Sequence, residues 1–259
     1  MVEPRSFADI LASTAKQKLA AAHARRNPNS TAEKPRDAII QGLQIVGGAI
    51  AEDGYVFSPS GMKYVRKCGD FSFHIEIQSD QNNIAGQRAA IWVHPSVYSR
   101  TFNAWKKKHP SDWIRPATPV PLPLFINQLG YLCDPAGWTE WDFSDPSQRR
   151  DVAEDLVASI QKGAFPLFSL FEAGAHEIAS LTERDWPTPE QVLGYLLATG
   201  HASLAGESLQ QFLYQRPAFR EKFEQLYQEF LREGIPEYRG QDAHNLAAFA
   251  VATGYPWND

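Results

Sequence analysis

The chain has 259 residues, 43% of them hydrophobic and 12% aromatic, enough for a packed core in one large or two small domains. Its formal net charge of −5 argues against a nucleic-acid surface spread over the whole chain, and no apolar run approaches the roughly 20 residues of a membrane span. The two cysteines, Cys68 and Cys133, form neither a disulfide framework nor a zinc-binding spacing; with no apolar signal segment, a cytoplasmic location is expected.

Residues Ser6 to Arg26 read as a helix, with Ser6 as cap and Asp9 in the first turn. "RRNPNSTAEKP" breaks it, and residues 1–35 are expected to form a basic arm. A second helix is predicted from Arg36 to about Glu52, because Ile39, Leu43, Val46 and Ile50 recur at helical spacing. Gly42, Gly47 and Gly48 weaken it and allow close approach of another element.

The period then changes to two. "YVF", "KYVRKC" and "FSFHIEIQ" read as strands, with the Gly69–Asp70 pair marking a hairpin. Phe71, Phe73, Ile75 and Ile77 alternate with Ser72, His74, Glu76 and Gln78, as in an antiparallel sheet with one face on a core and one in water. "RAAIWVHP" continues the sheet, with Ile91 and Val93 on one face and Trp92 on the other. Five prolines between 110 and 123 dictate a loop, while "LFINQLGYL" and "GWTEWDFSD" read as further strands. Beyond Asp145 helices are predicted at 146–162, 165–181, 188–199, 202–214, 217–233 and 241–252, with Ser144 or Asp145 capping the first. The expected class is α+β: N-terminal helices, a central antiparallel sheet and a C-terminal helical region. The expected domains are an α+β unit over 36–180 and a helical extension over 181–259.

Catalytic signatures are missing. "GLQIVGG" has no Lys-Ser/Thr to meet phosphates, so it is no P-loop. "HEIAS" at His176 lacks the second histidine of a zinc helix, and "GHASLAG" does not match a nucleophile elbow around Ser203. His74-Ile75-Glu76 has the H-x-E spacing of zinc deaminases without its cysteine pair. No metal site, cofactor or catalytic residue is assigned. Cys68 reads as a buried structural cysteine. On a strand His74 and Glu76 share a face, so an acid–base pair in a hydrolase is the alternative reading. "GWTEWDFSD" sets Glu140, Asp142 and Asp145 among Trp138, Trp141 and Phe143, and aromatic anchors ringed by acids suit an interface with a basic partner. A nucleic-acid contact through the 16–36 arm and Lys106-Lys107-Lys108 is disfavoured by the overall charge.

The helix "AIIQGLQ", the strands "EDGYVFSPSGMKYVRKCGDFSFHIEIQSDQNN" and the later Trp141, Phe143 and Phe165–Phe168 resemble the bacterial family known as domain of unknown function 4304, over roughly residues 36 to 180. The family transfers no catalytic residues. Such domains are similar to small proteins of bacterial conflict systems, including toxin-immunity proteins. The resemblance therefore implies a non-enzymatic protein-binding module. With the acidic charge and the many aromatics, the expected function is an immunity protein that occludes a basic toxin domain. Partner contacts are expected at Trp138, Glu140, Trp141, Asp142, Asp145, His74 and Glu76.

Overall fold

A computed structural model of the protein describes residues 32–108, 121–184, 189–236 and 242–254. The expected Ser6–Arg26 helix and most of the proline-rich loop lie outside the described residues. The fold is α+β. Helix α1 (Pro35–Ile50) leads into β1 (Val56–Ser58), β2 (Lys63–Cys68), β3 (Phe71–Ser79) and β4 (Ala90–Ser99). Then come α2 (Arg100–Lys108), β5 (Phe125–Ile126), a 3-10 turn (Leu129–Leu132) and β6 (Trp141–Asp142). The rest is helical: α3 (Arg149–Ser159), a π-helical turn (Ile160–Ala164), α4 (Phe165–Ala173), α5 (Ala175–Ala179), α6 (Pro189–Ala198), α7 (Ala202–Tyr214), α8 (Pro217–Glu233) and α9 (Asp242–Ala252).

The sheet runs β1-β2-β3-β4-β5, with β6 also paired to β4. Gly69, at φ +54°, stands first in the two-residue turn joining β2 to β3, where a residue with a Cβ is disfavoured. Along β3, Phe73, Ile75 and Ile77 are buried, and along β4 Ile91, Val93 and Val97 are. The period-two pattern thus sets which face each strand buries.

The chain divides into two compact units interleaved along the sequence. Of the described residues, the first comprises 32–66, His74–Pro95 and Gln128–Phe165. In it α1 packs on α3, and Gly42 leaves room for the Phe143 ring: a Cβ there would come within 2.2 Å of a ring carbon. The buried Tyr64 hydroxyl donates to the Leu43 carbonyl, tying β2 to the same helix. Arg149, buried at the start of α3, holds Glu33 at 2.6 Å and Gln41 at 2.6 Å, and donates to the Phe143 carbonyl at 3.1 Å. One guanidinium thus joins α1, its N-terminal approach and the end of β6, using the rigid fork of donors that only arginine carries.

The second unit comprises the described residues within Lys67–Phe73, Ser96–Asn127 and 166–254. Phe73 packs on Phe168, and Phe71 on Phe171 and Tyr195. Complete burial of a side chain such as Phe73 stabilises by about 1.5–3 kcal/mol. Asp70 receives the Ser99 hydroxyl and both the backbone N–H and hydroxyl of Thr101, so the hairpin turn caps α2. Helix α2 lies on α6 where Gly194 leaves room for Phe102, and α9 packs along α8.

Local expectations fail in four places. The helix expected over 165–181 breaks at Gly174, whose φ of +128° only glycine adopts readily. "LFINQLGYL" supplies two strand residues before a 3-10 turn. Neither Ser144 nor Asp145 caps α3: Asp145 instead accepts from the Ser147 backbone and hydroxyl, closing a turn before Gln148. Cys68 is exposed, not buried, because it is the last residue of β2, where the strand runs out into the hairpin turn. His176 and Ser203 sit exposed on α5 and α7. Among the described residues no helix is long and apolar enough to cross a membrane.

Candidate functional site

The sheet face opposite Ile75, Ile77, Ile91 and Val93 carries the polar residues of β3 and β4. His74 and Glu76 project to it from β3, and Trp92 and His94 from β4, each pair two residues apart. The face is not the fully wetted surface that the alternation predicts: the His74 and Glu76 side chains are only 13% and 33% exposed. His74 Nδ1 lies 3.5 Å from Glu76 Oε1, a looser approach than a good hydrogen bond. His94 is pulled below the usual histidine range, by burial first, with the Glu76 carboxylate opposing it. The Glu76 carboxylate thus lies near both imidazoles, and burial favours the uncharged form of His94.

The pairing of β6 with β4 builds the other half of the face. Ala90 lies opposite Asp142 and Ile91 opposite Trp141. Along residues 136–140 exposure alternates, with Ala136, Trp138 and Glu140 outward. The Trp138 ring meets Trp92 edge-to-face, 5.1 Å between centroids and 70° between planes. Trp138 is nevertheless 54% exposed. Arg88 Nη2 reaches both Glu140 oxygens, at 3.0 and 2.9 Å, and Asp80 Oδ2 at 2.9 Å. Asp80 is nearly enclosed and also accepts from the Asn82 amide, so these bonds hold its carboxyl below the usual range against the effect of burial.

The acidic aromatic segment therefore divides into two groups. Trp138 and Glu140 face outward. Trp141 is only 3% exposed and its indole N–H donates to Asp155 at 2.8 Å, which removes it from any partner surface. Asp142 accepts from the Ala89 and Ser144 backbones, and Asp145 from Ser147, so both carboxylates organise the chain. Acids beside a short strand are taken up by the backbone N–H groups that its ends leave unpaired, although Asp145 stays exposed. "SDQNN" has the same role, since Asn83 both accepts from and donates to the Ala90 backbone, at 2.7 and 2.8 Å.

Sequence reasoning missed His94 and Arg88. His94 was within reach, because it has the same parity as Trp92 on one strand. Arg88 was not, since its partners Asp80 and Glu140 lie 8 and 52 positions away.

Among the described residues no group of three or more histidine, cysteine or acidic side chains is placed to hold a metal ion. Compared with protein families, curated proteins and solved structures, the chain matches none.

Proposed function

We propose that the chain is a protein-binding module of the immunity type, covering the working surface of a basic toxin domain with the polar face of its sheet. The observation that carries the reading is Trp138. A large aromatic side chain more than half exposed, yet seated against Trp92, gives up little freedom when a partner covers it. Residues of this kind dominate binding energy at protein interfaces. The carboxylates of Glu76 and Glu140 on the same face, beside a His94 whose burial favours its uncharged form, suit a cationic partner, as does the net charge of −5.

The test is co-purification of the tagged chain with the product of the gene beside it in the native host. A stable complex that blocks that product's toxicity is expected. Trp138→Ala is expected to weaken the complex by about 2 kcal/mol or more, roughly thirtyfold. A neighbour that neither binds nor is neutralised overturns the proposal.

A hydrolytic reading draws on the Glu76 carboxylate beside His74 and His94, where a neutral imidazole could serve as base. It requires a hydrolytic activity that Glu76→Gln abolishes in a still-folded protein.

A further inference from the structure

We infer that Trp138 and Glu140 together form a receptor for an arginine side chain of the partner. This rests on the protein-binding reading and names the chemistry of its contact. The two residues are two positions apart, and the alternation of exposure along 136–140 turns both side chains the same way. Trp138 is oriented by its edge-to-face contact with Trp92 and leaves over half its surface open. Glu140 accepts two contacts from a single nitrogen of Arg88, and its side chain is still 42% exposed. A carboxylate offers about four lone-pair sites, so outward-facing acceptors remain.

The charges around the pair favour a cation. Arg88 is held between Asp80 and Glu140, so those three groups sum to one negative charge. Burial of His94, two residues from Trp92 on β4, favours its uncharged form. A guanidinium satisfies both halves of the receptor at once: its plane stacks on an indole, and its edge donates to a carboxylate. A lysine ammonium fits only one half at a time. A purely structural Trp138, serving only to cover Trp92, would answer to no ligand.

The experiment uses the full chain with ¹⁵N-labelled indoles. N-acetyl-arginine amide is added to tens of millimolar, and the lysine analogue in a parallel series. The Trp138 indole signal, assigned with Trp138→Phe, is expected to shift saturably with the arginine probe. The response to lysine is expected to be at least threefold weaker. Glu140→Gln, an isosteric exposed change, is expected to reduce arginine affinity severalfold while the other indole signals stay in place. An unmoved Trp138 signal, an equal response to lysine, or undiminished binding in Glu140→Gln overturns the inference. If the neighbouring gene's product binds the wild type and both variants equally, the receptor fails while the protein-binding reading stands. If the arginine response appears and no protein partner binds, the reading fails and the receptor stands.

Discussion

Glu190 is the second residue of α6 and is buried, an unusual place for a carboxylate. Burial first, and then the Asp242 carboxylate at the start of α9, push its carboxyl up to about 7 from an ordinary 4.5, against a lowering bond from its own backbone. The helix N-terminus favours the charged form, and desolvation outweighs it. The folded state thus holds this proton more tightly than the unfolded chain does. The associated stability is fully present below about pH 4.5, declines as pH rises toward 7, and is gone above that. A separation of roughly 2.5 pH units corresponds to about 3 kcal/mol. Glu190→Gln keeps the shape and removes the titration. Urea unfolding at about pH 4 and about pH 8 is expected to show near-equal stabilities at the first and a Glu190→Gln advantage of up to about 3 kcal/mol at the second. His94 has the opposite sign: its lowered proton affinity gives stability that is lost as pH falls through the histidine range. That contribution is common to both proteins and cancels in the difference. A gap between wild type and Glu190→Gln that is the same at both pH values refutes the reasoning.

Two glycines on α1 are expected to respond in opposite directions to alanine. Gly42→Ala drives a methyl into Phe143 and is expected to lose about 1–3 kcal/mol. Gly48→Ala meets nothing within 4 Å and is expected to gain about 0.5–1 kcal/mol, both read from urea midpoints. Arg149→Met leaves the half-buried Glu33 without its ion-pair partner and is expected to cost about 2–3 kcal/mol, with Arg149→Lys recovering only part because it lacks the fork. Timed alkylation followed by mass spectrometry is expected to modify the exposed Cys68 before Cys133, which is half-buried and whose thiol burial pushes up. Equal rates would contradict that placement.

The fold was readable where one short-range rule acted alone. Period two in "FSFHIEIQ" placed the strand and its faces, and helical spacing placed α7 and α8 residue for residue. The reading failed where backbone geometry competed with side-chain pattern. The π-helical turn at Ile160–Ala164 has no sequence signal, and it brings Gly163 against Leu129, Leu132 and Cys133. The candidate site was readable as residue types and not as roles. All three acids of "GWTEWDFSD" look alike in the sequence, yet Asp142 and Asp145 accept from neighbouring backbone N–H groups, whereas Glu140 pairs with the Arg88 guanidinium.

The sequence by itself determined the α+β order, the strand faces, and the sharing of one face by His74 and Glu76, because periodicity is a property of consecutive residues. Tertiary structure alone decided that Trp138 is exposed while Trp141 is enclosed. It alone brought Arg88 to Glu140 and set Glu76 near His94. Those outcomes depend on strands separated by many positions coming to lie side by side, and the burial and charge of each group follow from what lies across the sheet, which local spacing does not encode.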